Sequence, residues 1–164
     1  DDLGNLIYRT MTMVEKYFSY KVPSYSKDSA DVSLAKSTLS LASSVEEYMA
    51  RLDLIGALAS IWAVINKANK YIEESAPWKL AKEKNAKELS IVIYTLLETL
   101  RIVAILIFPF MPKVSAEIWR QLNMKKSIST VNIEDARKWG VLTPGIEIRK
   151  AMPIFQRIVE KVTQ

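Results

Sequence analysis

An amide and a guanidinium group lie one helical turn apart near the start of the chain. Asn5 and Arg9 occur in "DDLGNLIYRT". Thr12 and Lys16 continue the same spacing of three and four residues. On a helix these positions share one surface stripe, on the side away from the apolar residues. Such a pair can read the edge of a nucleic-acid base. The alternative is an ordinary solvated helix face, because most surface helices carry polar pairs at this spacing.

A tryptophan follows a proline in "EESAPWKLAKEKN", and lysines follow the tryptophan. Single-stranded nucleic acid needs an aromatic face for a base and positive charge for its phosphates, and Trp78 with its lysines offers both. Lys79 and Lys82 are the candidate phosphate contacts. Two alternatives stay open. The first is that Trp78 is a core anchor. The second is that the lysines pair with the interspersed glutamates along an exposed helix. The lysines are Lys79, Lys82, Lys84 and Lys87.

Asn69 lies on the apolar stripe of the helical segment that leads to this proline. A buried amide must find hydrogen-bond partners. We therefore predict that Asn69 braces the corner at Pro77. The alternative is a polar residue that is partly exposed.

Composition removes several kinds of chemistry. The 164 residues include no cysteine and no histidine. Disulfides and thiolate metal sites are therefore excluded, and the commonest general base and zinc ligand are missing. We predict no catalytic and no metal-binding residue in this chain. The formal net charge of +5 leans only mildly toward anionic partners.

Few glycines and apolar residues at helical spacing predict an all-α bundle of about five helices. Pro77 forces one helix to end near Ser75, and it suits the first turn of the next one. The first predicted helix has an apolar stripe from Leu3 to Phe18, and the second begins around Asp31 as its N-cap. The third begins with Leu54 facing the core and ends near Ser75. The fourth is the apolar helix that follows Pro77 and its lysines, and the fifth spans 113–122 with Trp119 inward.

The run "IVIYTLLETLRIVAILIFPFMP" is long enough to raise the question of a membrane span. Glu98 and Arg101 argue against a span, because charges are costly in lipid and these two can pair at a spacing of three. We predict a central helix that is buried in the bundle. With no basic leader before it, the chain is predicted to be an intracellular protein or a piece of one.

The sequence changes character after residue 122. The polar segment 123–164 contains the turn signal "TPG", then "IEIRK", whose alternation predicts a short extended piece, and finally the helical pattern "FQRIVEKV". We therefore divide the chain into a bundle over residues 1–122 and a C-terminal extension of the same domain over residues 123–164.

Four motifs in this order carry a resemblance to a known family. They are "DDLGNLIYR", "ANKYIEESAPWKLAK", "FPFMPKVSAEIW" and "GIEIRKAMPIFQRI". This set resembles the anticodon-binding domain of methionyl-tRNA synthetase, a class I aminoacyl-tRNA synthetase, over nearly the whole chain. Synthetases for leucine, isoleucine, valine and cysteine share the helical architecture without this set from asparagine to tryptophan.

The resemblance implies roles for individual residues. Asn5 and Arg9 would face the methionine anticodon, CAU. Pro77 and Trp78 would form the corner on which its first base, cytosine, stacks. Asn69 and Glu73 would occupy positions that support or approach the anticodon.

The resemblance also implies what lies outside this chain. Methionine and ATP would bind a catalytic domain that precedes residue 1, so this segment would not aminoacylate. No cofactor is expected in the segment itself. The implied partners are methionine tRNA and that catalytic domain, toward which the extension would pack, in the cytoplasm and without a membrane. A rival interpretation is a helical protein-protein interaction module, with the "FPF" turn and Trp119 forming a groove for a partner helix.

Overall fold

The computed structural model of the chain describes residues 2–24, 26–27, 30 and 32–155. Five helices of ten residues or more and one short helix form the described fold, which confirms the all-α prediction. The described residues contain no β-strand longer than a single bridge. The helices are α1 (Asp2–Phe18), α2 (Ser33–Ala50), α3 (Leu54–Ser75), α4 (Pro77–Lys82), α5 (Ala86–Ile107) and α6 (Pro112–Gln121).

Helix α1 buries one apolar stripe and leaves the opposite face to solvent. Leu3, Leu6, Ile7, Met11 and Val14 are at most 1% exposed. Asp2 in the first turn and Lys16 in the last turn complement the helix dipole. The packing of α1 against α3 and α5 thus fixes which side chains point outward.

Helix α2 begins after Val32, whose side chain makes no capping hydrogen bond. The predicted N-cap, Asp31, lies outside the described residues. Helix α3 is capped by Asp53, whose carboxylate accepts a hydrogen bond from the N–H of Gly56 at 2.8 Å. Only glycine fits at position 56, because a Cβ would lie 2.4 Å from the Tyr48 ring.

Leu54 corrects one expectation, since it was predicted to face the core and is 51% exposed. The buried stripe of α3 begins one turn later, at Ala57. The first turn of α3 therefore extends beyond the packed part of the bundle. Leu52 and Ile55, beside Leu54, are exposed as well.

Helix α5 runs through the core, and every residue from Ile91 to Ile107 is buried. By length and composition it could cross a membrane, but 94% of its most apolar window is buried inside the protein. The predicted Glu98–Arg101 pair is confirmed, with 2.8 Å between Arg101 Nη2 and Glu98 Oε2. The apolar surface of α5 is therefore covered by other elements of the fold.

The Glu98–Arg101 pair also binds the segment after α6. Glu98 accepts hydrogen bonds from the N–H groups of Gly140 and Leu142, at 3.2 and 2.7 Å. Arg101 donates to the carbonyl of Asp135 at 3.1 Å and to that of Lys138. The pair thus fixes the C-terminal extension along the middle of α5.

The described part of the extension, residues 123–155, contains two 3₁₀ helices, a turn and a bridge. The 3₁₀ helices span Ile128–Thr130 and Ile133–Arg137. Gly145 lies in a turn with a φ of +82°. In the predicted extended piece that follows, Glu147 forms an antiparallel β-bridge with Lys21. The predicted helix in "FQRIVEKV" lies outside the described residues apart from Phe155, and the domain division at residue 122 stays a prediction.

Candidate nucleic-acid interface

Two side-chain pairs join α1 to α3. Asn5 Nδ2 donates to Asn69 Oδ1 at 3.4 Å, and Arg9 Nη2 lies 2.6 Å from Glu73 Oε1. Both helices advance by four residues between these contacts, so α1 runs parallel to this part of α3. We call these four residues the ladder.

The ladder is open to solvent on its outer side. Asn5 is exposed. The side chains of Arg9 and Glu73 are 28% and 60% exposed. The Arg9 guanidinium has five N–H donors and Glu73 has four lone-pair positions, so one mutual contact leaves most of this capacity unused. The Arg9–Glu73 pair therefore presents donors and acceptors side by side.

Asn69 braces a different place from the one expected. Its Nδ2 donates to the backbone carbonyl of Asp2 at 3.0 Å, while its Oδ1 accepts from Asn5. The amide thus holds the first turn of α1 against α3, and the corner at Pro77 is built by the backbone. Asn69 is partly exposed, which agrees with the stated alternative and not with a buried amide.

A single residue separates α3 from α4. Ala76 adopts a left-handed conformation with φ 43° and ψ 62°, which is uncommon for a residue with a side chain. It ends α3 and starts α4, and Pro77 takes the first position of α4, where the missing N–H costs nothing. Pro77 itself is buried. The corner is therefore a short, tight junction that directs the next side chain outward.

That side chain is Trp78, and it is 44% exposed. A fully buried anchor is thus excluded. Lys79 and Lys82 are exposed on α4, and neither forms a salt bridge with any described residue. The corner presents one aromatic ring together with positive charges.

Tyr71, on α3 between the two ladder positions, stays neutral near pH 7. Burial raises the pKa of the Tyr71 phenol, and a hydrogen bond with Ser75 opposes this rise. Tyr71 therefore adds no charge to this surface.

Sequence reasoning passed over two features of this surface. The Arg9–Glu73 pairing joins residues 64 positions apart, and no local pattern indicates such a contact. Tyr8 is 57% exposed beside Arg9. The only sequence signal for the exposure of Tyr8 was its position off the apolar stripe of α1.

The burial of Trp119 argues against the rival interpretation, a groove for a partner helix. Trp119 is 5% exposed, and its Nε1 donates to the carbonyl of Lys126 at 2.7 Å. Phe108 and Phe110 of the "FPF" turn are half-buried. In the part of the chain that is described, no group of three or more His, Cys, Asp or Glu residues is placed to hold a metal ion.

Comparison with known proteins places the chain in a family. Residues 31–164 match the model of the anticodon-binding domain of tRNA ligases, and the chain belongs to this family. Its relatives include the methionine–tRNA ligases of Caldanaerobacter subterraneus subsp. tengcongensis, 40% identical over 98% of this chain, and Clostridium tetani, 44% identical over 96%. The chain spans about a quarter of the length of these relatives, 25% and 24%.

A solved structure gives the same result. The apo form of Mycobacterium tuberculosis methionyl-tRNA synthetase aligns with 96% of this chain, with a TM-score of 0.82 and 29% sequence identity. This chain covers 32% of that protein. The described fold is thus similar to one part of a larger synthetase.

Proposed function

We propose that this chain recognises the CAU anticodon of methionine tRNA, as the non-catalytic domain of a cytoplasmic methionyl-tRNA synthetase. The parent would charge tRNA with methionine in an ATP-dependent reaction, and ATP and methionine would bind its catalytic domain outside this chain. The family supports a tRNA ligase, and the names of the relatives support methionine as the amino acid. The observation that carries the anticodon site is the solvent-accessible Arg9–Glu73 pair, in which Glu73 lies about one helical turn before the corner that exposes Trp78.

The chemistry of this pair fits the first anticodon base. Cytosine presents an amino donor at N4 and acceptors at N3 and O2. A carboxylate accepts from the cytosine amino group, and a guanidinium donates to ring acceptors. Glu73 and Arg9 offer these groups 2.6 Å apart. Uracil would instead present a carbonyl oxygen to Glu73, and the two acceptors repel each other.

Trp78 would hold the same base by stacking. A base on an aromatic side chain contributes about 1–3 kcal/mol to single-stranded binding. Asn5, beside the pair, has amide groups for a neighbouring base edge, while Lys79 and Lys82 contact phosphates. The stack and the phosphate contacts provide affinity, and the base edges provide the choice of anticodon.

The test is a titration with stem-loop RNAs that share one stem and differ only in single anticodon bases. We expect the CAU loop to bind most tightly, and replacement of the first base by uracil to weaken binding by roughly ten-fold or more. Binding should weaken steeply as salt is raised, because phosphate contacts release counterions. Equal affinity for all loops would contradict anticodon recognition.

Trp78→Ala completes this test. We expect affinity for the CAU loop to fall by about 1–3 kcal/mol, while the melting temperature stays within a few degrees of the original, because the ring is partly exposed. If Trp78→Ala instead unfolds the chain at much lower temperature, and binding falls only with the folded fraction, the tryptophan is a structural anchor.

A further inference from the structure

Two exposed aromatic side chains lie at the candidate interface. Of the aromatic residues that the structure describes, Tyr8 and Trp78 are the ones that are exposed, at 57% and 44%. Single exposed apolar side chains are common on protein surfaces and need no explanation. These two, however, lie close in the chain to the residues of the ladder. Tyr8 directly precedes Arg9, and Trp78 follows the end of the helix that carries Glu73.

Helical geometry defines where Tyr8 lies. With about 100° per residue, Tyr8 lies about 60° to one side of Asn5 around α1, and Arg9 about 40° to the other side. Arg9 lies on the side of α3, because it contacts Glu73. Asn5 contacts α3 as well, through Asn69. Tyr8 therefore lies on the flank of α1 beyond Asn5, farther around the helix from α3 than Asn5 or Arg9. The ladder stands between the tyrosine and the corner that carries Trp78.

Nothing in the described fold uses the Tyr8 ring. Its hydroxyl makes no hydrogen bond with the described residues, and no ring contact or cation–π pair involves it there. By contrast, Tyr48 packs on Gly56 and against Arg51. A phenol ring on the outer side of α1 is thus available to a partner.

We propose that Tyr8 is a second base-stacking surface, for a base of the RNA loop other than the one that stacks on Trp78. This inference rests on the proposed function. Every base has a face that can stack on an aromatic ring, so two rings on either side of the ladder hold two unstacked bases. The Arg9–Glu73 pair then reads base edges between two fixed stacks.

Tyr8→Leu and Tyr8→Phe separate stacking from other roles. Leucine keeps an apolar side chain without an aromatic face, and phenylalanine keeps the ring. We expect Tyr8→Leu to weaken binding of the CAU stem-loop by roughly five- to a hundred-fold, and Tyr8→Phe by less than about two-fold. Ile55→Ala, at an 83% exposed position outside the ladder and the corner, should leave affinity unchanged.

Stem-loops with one loop base at a time replaced by an abasic site identify the base involved. The base stacked on Tyr8 is the one whose removal makes Tyr8→Leu and the original chain bind equally. We expect this base to differ from the one found in the same way with Trp78→Ala. If the CAU loop binds the original chain and Tyr8→Leu equally well, or if both rings give the same base, the second stack is disproved and the proposed function stands. If no stem-loop binds the original chain, both proposals fail.

Discussion

Arg9 and Glu73 are oppositely charged, close together and still reachable from solvent. An exposed ion pair stabilises a fold by about 0–1 kcal/mol, so this pair contributes little to folding. Its value at the surface is chemical, because it combines donors and acceptors in one place. We therefore expect changes at Arg9 and Glu73 to alter the choice of RNA more than the stability of the chain.

Glu73→Gln tests this directly. Removing the negative charge should strengthen general attraction to RNA, while the preference for cytosine over uracil at the first anticodon base falls by roughly ten-fold. The measurement is the ratio of the two stem-loop affinities at fixed salt.

Glu74→Gln is the matched control. Glu74 is the next residue on α3, and it pairs with Lys70 at 3.3 Å, outside the ladder. The same change of charge at position 74 should leave the ratio unaltered. If both variants change the ratio equally, the effect is one of charge, and the direct contact of Glu73 with the base is disproved.

At the scale of single residues, the sequence predicted which side chains share a helix face, but it did not predict contacts between residues far apart in the chain. The shared face of Asn5 and Arg9 follows from a spacing of four on a helix. The partner of Arg9 depends on how α1 and α3 pack, and that contact spans 64 positions. The prediction that Asn69 braces the corner was wrong for the same reason. The hydrogen-bond partner of the Asn69 amide depends on where α1 begins beside α3.

At the scale of elements, the corner between α3 and α4 sets the position of Trp78. The proline predicted the end of α3 at Ser75 correctly, since a residue before proline avoids the helical region. The left-handed Ala76 was not predictable, because alanine has no preference for that conformation. The burial of helix α5 was easier to predict, since a soluble fold must cover so long an apolar segment.

Ala76→Gly should separate stability from binding. Glycine removes the steric cost of the left-handed conformation, about 1–2 kcal/mol, but it gains freedom in the unfolded chain, so we expect a net gain of up to about 1 kcal/mol. The looser corner should hold Trp78 less firmly and weaken RNA binding by roughly two- to five-fold. Urea unfolding and stem-loop titration measure the two effects.

Leu52→Gly provides the comparison. Leu52 is also left-handed, with a φ of 57°, in the turn between α2 and α3. It should gain stability in the same way without a change in RNA affinity. A loss of affinity in both variants would show that the corner at Ala76 has no special role in binding.

At the scale of the whole molecule, one buried ion pair connects the helical bundle to its extension. Glu98 and Arg101 are 0% and 1% exposed, and together they satisfy four backbone groups of residues 135–142. The sequence predicted the pairing from the spacing of three. It did not predict these backbone partners, which come from the end of a 3₁₀ helix and from the irregular chain that follows it.

Arg101→Met should destabilise the chain by about 3–5 kcal/mol, because it leaves the Glu98 charge buried without its partner. Arg120→Met is the matched control, since Glu117 and Arg120 form an exposed pair at the same spacing. There the hydrogen bond from Arg120 lowers the pKa of Glu117, and we expect a loss below about 1 kcal/mol. Urea unfolding of both variants gives the comparison, and similar losses would disprove a special role for the buried pair.

The order in which a ribosome makes the chain gives the buried pair a further consequence. Arg101 leaves the peptidyl transferase centre about 40 residues before Leu142, which corresponds to roughly two to eight seconds of translation. During that interval α5 exists as a nascent segment, and the backbone groups that hold its two charges have not been made. The charges cannot enter the core without those groups except at a cost of several kcal/mol. We therefore expect the nascent chain to remain protease-sensitive until residue 142 has emerged, so that the native fold forms late in synthesis.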